Sequence, residues 1–322
     1  MKQYIPFYPY LAGLSTYVPG LHNFAPLSAA ESSIYATSVF VRHISNYLQH
    51  QEEKVLPNVI LELGPGNSVG FGLAAMLLYE CDYMSLDVGE FFDPTINLVA
   101  LDEIYEQLSA GTFDSSDISI DFMPKNRNTI QVHDIQTLSP SETTITDRYN
   151  LLRSRIQEPL PCPLKERWTT PILQKETNSI FLSSRRFPNP TRVEAVFSQA
   201  VLEHIDDLPG LFIHLVSTGA PNAVHSHHVD LSCHNLTREW NGHWAFSDAQ
   251  WRIIRGRRPQ FINRAPESYL LTLFKNLNLP IIHQERYRNT DRPSIRKNQS
   301  RINSSPSDFS AESCYFLLNS AR

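Results

Sequence analysis

The chain lacks the features that mark several large protein classes. None of its apolar runs is long enough to cross a bilayer, and Met1 to Tyr8 lacks the apolar core of a secretory signal peptide. Its four cysteines, Cys81, Cys162, Cys233 and Cys314, are widely spaced and form no C-x-x-C pair. That argues against a structural zinc site and for a reducing compartment. No dense Lys/Arg tract is present. The 28 basic residues face 33 acidic ones, for a net charge of −5, and the one basic cluster, Arg252 to Arg258, is short and flanked by aromatics. Neither a nucleic-acid backbone nor a membrane is therefore an expected partner, and there is no internal repeat. These exclusions leave a cytoplasmic globular protein as the expectation. At 322 residues, 41% hydrophobic and 19% charged, it is long enough for one large α/β domain with insertions or for two small domains.

What is present is most informative from Val59 to Gly70. An apolar run, Val59-Ile60-Leu61, leads through Glu62 into the turn Gly64-Pro65-Gly66. That pattern is a parallel strand delivering a nucleoside-type ligand to the first helix of a doubly wound sheet. The glycines let the backbone turn sharply and approach a ligand. Glu62 at the strand tip suits an amino group or hydroxyls better than a pyrophosphate. Ser68 can cap a helix through Val69, Leu73, Met76 and Leu77. A second strand, Tyr83 to Val88, carries Asp87, about 20 residues beyond the glycines, where an adenosine ribose finds an acceptor for its two hydroxyls.

The alternation of strands and helices continues and predicts a mostly parallel sheet. Thr129 to Asp134 reads as a third strand, Val193 to Ser198 as a fourth, Ala223 to Asp230 as a fifth and Leu279 to Glu285 as a sixth. Ser313 to Leu318 follows only a polar loop and is expected as an antiparallel edge strand. Helical patterns fall at 29–48, 98–108, 207–216 and 266–276. Residues 1–57 read as an N-terminal helical cap across the mouth of the sheet. The proline-rich stretch at 135–190 reads as an inserted lid or substrate loop.

Histidines cluster near the end of the fifth strand: His225, His227, His228, His234 and His243, with His204 near the same end of the sheet. Side-chain alternation puts His225, His227 and Val229 on one face and His228 on the other. Three readings stay open. One is a general base with an orienting acid, drawn from His227, Asp230, His234 and His243, with Asp230 or Glu203 as the acid. The second is a structural polar network. The third is a divalent metal built from His227, Asp230, His234 or His243; its spacing matches no standard ligand pattern, and no metal is expected. Trp240, Trp244, Phe246 and Trp251 read as core or as a flat wall for a ring-bearing acceptor. Asn263 and Arg264 read as contacts to a polar acceptor group or as caps of the next helix.

Three segments, Glu62-Leu63-Gly64-Pro65-Gly66, Leu86-Asp87-Val88 and Ser198-Gln199-Ala200-Val201-Leu202-Glu203-His204, together resemble class I S-adenosylmethionine-dependent methyltransferases. The run from Ser226 through Arg264 resembles a bacterial subgroup acting on small molecules. The resemblance implies a Rossmann-like α/β fold with a seven-stranded, mostly parallel sheet, helices on both faces and an antiparallel last strand, spanning residues 58–322. It implies S-adenosylmethionine as donor and S-adenosylhomocysteine as product. Glu62, Gly64, Pro65 and Gly66 would lie beside the amino acid end of the cofactor, and Asp87 with Val88 at its ribose. Asp134 and Ile135 would lie at the adenine and Ser198 and Gln199 beneath the methionine portion, with His204 also among the cofactor-binding residues. The expected partner is a small methyl acceptor, modified at oxygen or nitrogen, and the expected assembly a homodimer. The rivals are a nicotinamide-dependent oxidoreductase and a non-catalytic binding protein on the same fold.

Overall fold

A computed structural model describes residues 7–18, 33–111, 135, 138, 143–160, 178–188, 190–258, 260–288 and 291–320. In chain order the elements that build the site are α1 (Tyr8–Ser15), α2 (Ser33–Gln49), β1 (Val59–Leu63), α3 (Gly70–Leu78), β2 (Asp82–Asp87), α4 (Pro94–Ala110), α5 (Ile145–Gln157) and β3 (Asn178–Ser183). They continue with β4 (Val193–Gln199), α6 (Leu208–Thr218), β5 (Gly219–Asp230), α7 (Asp248–Arg255), α8 (Glu267–Asn276), β6 (Ile281–Tyr287) and β7 (Ser313–Asn319). The strands form one mixed seven-stranded sheet in the order β3-β2-β1-β4-β5-β7-β6. The pairings of β1 with β2, β1 with β4 and β4 with β5 are parallel, whereas β2–β3, β5–β7 and β6–β7 are antiparallel.

Two expectations need correction. The sheet is parallel only at its centre. The last strand is antiparallel, but it is inserted between β5 and β6 and is no edge strand: it carries Cys314 to Leu318 fully buried on both faces, with β6 taking the more exposed edge. The expected third strand, with Asp134, lies outside the described residues. The sheet's β3 comes instead from Asn178 to Ser183, where only three consecutive apolar residues, Ile180 to Leu182, mark a strand. Among the described residues no helix is long and apolar enough to cross a membrane. Cys81, Cys233 and Cys314 are buried free thiols.

Strand alternation divides the core. Val59, Leu61 and Leu63 of β1 face one layer with Phe212 and Leu215 of α6 and Phe274 of α8. Ile60 faces the other with Phe40 of α2, Leu73 and Leu77 of α3 and Ile104 of α4. Glu62 follows Ile60 with the strand's period of two and so belongs to the α3 side. There the buried Tyr83 hydroxyl donates to its Oε2 at 2.5 Å. Burial first, then the Glu62 charge, hold the Tyr83 phenol well above its ordinary value, so it remains a donor.

The turn after β1 is fixed from several directions. Gly64 and Gly66 have φ of +63° and +67°, a region that disfavours any side chain. A Cβ on Gly64 would also meet Val201 at 2.8 Å. Ser68 is not the helix cap expected from sequence: the N-cap position is Val69, which has no side-chain cap, and Ser68 Oγ only accepts from Gly70 N–H at 3.3 Å within the turn. The stronger clamp is the buried Asn97 of α4, whose Oδ1 accepts from Val69 N–H and whose Nδ2 donates to the Asn67 and Asp93 carbonyls.

Tyr83 reaches Glu62 only because position 72 has no side chain: a Cβ there would sit 2.3 Å from the Tyr83 ring. Overpacking of a core costs about 1–3 kcal/mol, whereas Gly to Ala in a helix gains about 1 kcal/mol. Gly72→Ala is therefore expected to lower the denaturant midpoint at unchanged m-value. A raised midpoint would show that helix propensity outweighs the contact.

Candidate functional site

Parallel α/β sheets bind ligands beyond the carboxyl ends of their strands, where the connections part to opposite faces. Here β1 leads to α3 on one face and β4 leads to α6 on the other. A cavity of about 420 Å³ opens at that point, within the roughly 300–1,000 Å³ typical of small-molecule sites. Its walls follow the sheet order. Leu86, Asp87 and Val88 come from β2; Glu62 and the 63–68 turn come from β1; Gln199, Ala200, Val201 and His204 follow β4; His234 follows β5. Helix α2 closes one side with Tyr35, Ala36 and Val39.

The cavity thus brings together Glu62, Gly64, Pro65, Gly66, Asp87, Val88, Gln199, His204 and His234. Asp87 is oriented by the backbone: Oδ2 accepts from Gly66 N–H at 2.9 Å and Oδ1 from Val88 N–H at 2.7 Å. Burial pushes its carboxyl up, against the pull of these amides. No Lys or Arg side chain lines the cavity among the described residues. Gln199 is locked from both ends. Its Oε1 lies 3.2 Å from His43 Nε2 of α2, and its Nε2 lies 3.2 Å from His228 Nδ1 of β5. His43 Nδ1 is in turn 2.7 Å from Ser226 Oγ, which is 2.5 Å from the Tyr315 hydroxyl. This chain fastens α2 to the sheet directly beneath the cavity.

The expected histidines divide into two groups. On one face of β5, His225 and His227 turn to Phe212 of α6, with ring centroids 6.4 and 5.4 Å away, and His228 turns to the other face, as alternation requires. His227 is fully buried, its Nδ1 2.7 Å from Ser198 Oγ, and neither residue lines the cavity. His243 is also buried, against Trp244 and Trp251. Only His204 and His234 reach the cavity, their rings 5.1 Å apart. His204 Nδ1 donates to the Gln260 carbonyl at 2.8 Å, and burial first, then His234, lower its basicity. His234 Nε2 is 3.2 Å from Asp230 Oδ2, and Asp230 Oδ1 accepts from Ser232 N–H. Behind them, Glu203 is buried with Oε1 accepting from Asp230 N–H at 3.3 Å. Burial and the Asp230 charge push the Glu203 carboxyl well up. Burial also pushes Asp230 up, but its bonds from His234 and Ser232 outweigh that and hold it below the ordinary carboxylate range.

The other expected contacts lie away from the cavity. Trp240 and Trp244 are fully buried, edge to face at 5.5 Å, and are core residues. Arg264 donates to the Phe246 carbonyl and Asp248 and stacks on Trp251. Asn263 caps no helix. Its Nδ2 donates to the Leu202 and Ile205 carbonyls, both at 2.7 Å, so it holds the turn that presents Glu203 and His204. Ile135 is buried in the core on the α3 side. The residues that sequence reading missed are Tyr35, Phe71, Phe91 and Gln260 in the wall, and His43 and Tyr83 behind it. A further signature is backbone strain: Ala200, His234 and Gln260 all have positive φ, of 53°, 48° and 56°, and all three line the cavity. Such strain gathers at ligand sites.

No protein-family profile matches the sequence, and no curated protein matches it. Among solved structures the chain is similar to the CurJ carbon methyltransferase, at 10% identity and a TM-score of 0.36, over 89% of this chain and 54% of that one. It therefore spans about half the length of that structure. It is also similar to a chain of the complex between the Haloferax volcanii Trm112 methyltransferase activator and a methyltransferase, at 11% identity and a TM-score of 0.35, over 92% of this chain and 100% of that one. Likenesses this distant carry no argument about activity; the site residues must carry it.

The buried imidazoles set the acid limit of the fold. Burial, ahead of neighbouring charges, lowers His43 and His228 to about 3 and His225 to about 4, below the 6.5 of an unfolded imidazole. Their contribution to stability is complete above pH 6.5 and is lost as pH falls through 6.5 toward 3–4. Each proton taken up on unfolding gives a slope of about 1.4 kcal/mol per pH unit, so the three give about 4 kcal/mol per unit near pH 5. Urea melts across pH 7 to 4.5 are expected to show at least this slope, since burial lowers His227 and His243 in the same way, and His225→Leu is expected to reduce it by about 1.4 kcal/mol per unit. A flat profile above pH 5 would contradict the neutral, sealed state of these rings.

Proposed function

We propose that the protein is an S-adenosylmethionine-dependent methyltransferase that modifies an oxygen or nitrogen of a small molecule, such as a secondary metabolite or a sugar, and releases S-adenosylhomocysteine. One observation carries the reading: Glu62 and Asp87 stand in one cavity whose described walls hold no cationic side chain. Such a wall attracts a ligand rich in hydroxyl and ammonium donors and carrying positive charge on sulfur. Asp87, held by the Gly66 and Val88 amides, keeps lone pairs for two ribose hydroxyls. Glu62, steadied by Tyr83, serves the amino acid end.

A nicotinamide dinucleotide fits this wall poorly. Its pyrophosphate needs positive charge or open helix N-terminal amides. Those of Val69 and Gly70 are already taken by Asn97 and Ser68, and two carboxylates repel phosphate.

When bound, the cofactor would supply an electrophilic methyl group on a sulfonium, with the C–S electron pair left on sulfur. The chain's own work is to position, to dry the site and to handle a proton. We assign Asp87, Glu62 and Gln199 to positioning. Helix α2 is the proposed cap, excluding water with Tyr35, Ala36 and Val39 as the outer part of an N-terminal unit. The acceptor enters at the β4–β5 end, where His204 and His234 are the titratable groups facing the cavity. His227, buried and away from it, holds Ser198 of β4, and His243 packs against Trp244 and Trp251. The reading keeps a cytoplasmic enzyme with a small acceptor, and a homodimer as its assembly.

Calorimetry with S-adenosylhomocysteine tests this directly. Wild type is expected to bind. Asp87→Ala is expected to bind at least tenfold more weakly, since hydrogen bonds to a charged group contribute about 1.5–3 kcal/mol each and about 1.4 kcal/mol is tenfold. No binding in wild type, or saturable binding of NADH in its place, would overturn the assignment.

A further inference from the structure

Glu203 poses a problem that the cofactor does not solve. It is a fully buried carboxylate with no arginine or lysine ion pair among the described residues, and its Oε2 has no hydrogen-bond partner there. The nearest charge is another carboxylate, Asp230, whose backbone amide bonds Glu203 Oε1. An isolated buried carboxylate is costly unless something positive or a proton meets it. The side chains beside Glu203 are His204 and His234, and one ligand atom from each of the three lies within 4.8 Å of the others.

The hydrogen bonds around these rings are those of metal-binding histidines. In such sites the ring nitrogen turned away from the ion donates to a backbone carbonyl or a carboxylate, which fixes tautomer and orientation. His204 Nδ1 is held by the Gln260 carbonyl at 2.8 Å, leaving Nε2. His234 Nε2 is held by Asp230 Oδ2 at 3.2 Å, leaving Nδ1. Each ring–support pair includes one residue held at a backbone cost, the support Gln260 in one and the ring-bearing His234 in the other, both non-glycine residues at positive φ. Asn263 fixes the turn bearing Glu203 and His204 through two carbonyls and through its own N–H to the Glu203 carbonyl.

We propose that Glu203, His204 and His234 form a binding site for one divalent first-row cation of the zinc class, at the β5 end of the cavity. Two imidazoles and one carboxylate are a borderline donor set that suits zinc and its neighbours better than magnesium. These residues are not the His227-centred set expected from sequence. Three protein ligands leave a coordination position open, and His204 and His234 face the cavity. The ion therefore stands where an acceptor hydroxyl enters, able to polarise that oxygen and ease loss of its proton. On this account the two imidazoles hold the ion and do not themselves take the proton. The link to an acceptor rests on the methyltransferase reading; the site itself does not.

The test is calorimetric titration of the full chain with Zn²⁺ after chelator treatment and dialysis. One ion per chain is expected. His204→Ala and His234→Ala should each weaken binding at least about tenfold, the lower bound for loss of even an outer-shell support. His234, with 36% of its side chain exposed, can be replaced without emptying the core, and circular dichroism checks the fold of each variant. Asp87→Ala should keep zinc affinity within about twofold. Zinc binding that is absent in wild type, or equal in wild type and both histidine variants, overturns the proposal. Zinc bound as expected in a chain that ignores S-adenosylhomocysteine would sink the cofactor reading and leave the ion site standing.

Discussion

The hold of Tyr83 on Glu62 organises the rest of the molecule's business end. A carboxylate at the tip of a central strand faces a helix layer that is otherwise apolar, and it persists there because a phenol hydroxyl reaches it. That reach depends on a missing side chain at position 72, on the packing of α3 against β2, and on Asn97 drawing the glycine turn onto α4. The same turn places the Gly66 amide on Asp87. Two acids separated by 24 residues in sequence become two points on one wall, pre-set by backbone amides at Asp87 and by a phenol at Glu62.

The sheet order then divides the labour. The β2–β1 half of the cavity offers carboxylates and backbone; the β4–β5 half offers His204 and His234, with the buried Glu203 behind them. Between them stands Gln199, its amide fixed by His43 from α2 and His228 from β5. A group-transfer site needs this kind of division, one side gripping the donor and the other preparing the acceptor, with the junction held rigidly. It also explains why so many imidazoles are buried neutral nearby. His43, His227 and His228 serve as uncharged hydrogen-bonding groups that brace Ser226, Ser198 and Gln199.

Much of this could be read from the chain alone, for identifiable reasons. The turn at Gly64 and Gly66, and the acids Glu62 and Asp87, are legible because strand tips and tight turns impose local rules on residue type. The face alternation of His225, His227 and His228 is legible for the same reason. Features set by long-range packing were not. Strand β3 is a short run whose place depends on pairing with β2 across about 95 residues, and β7 is inserted inside the sheet, which no local pattern reveals. The tryptophans Trp240 and Trp244 read equally as core or wall, and only their packing decides for the core. Asn263 looked like a ligand contact or a helix cap, yet its amide is used on the turn at residues 202–205. Gln260, which steadies His204 through its carbonyl, is invisible to any argument from side-chain type.

The central claim is spatial: one cavity seats an adenosyl amino acid with its ribose on Asp87 and its sulfur turned toward His204 and His234. A crystal structure of the complex with S-adenosylhomocysteine measures this most directly. The account predicts ribose oxygens within hydrogen-bonding distance of Asp87 and the sulfur facing the histidine pair across Gln199. An adenosine bound outside this cavity, or one lying in it with Asp87 and Glu62 both uncontacted, would contradict it.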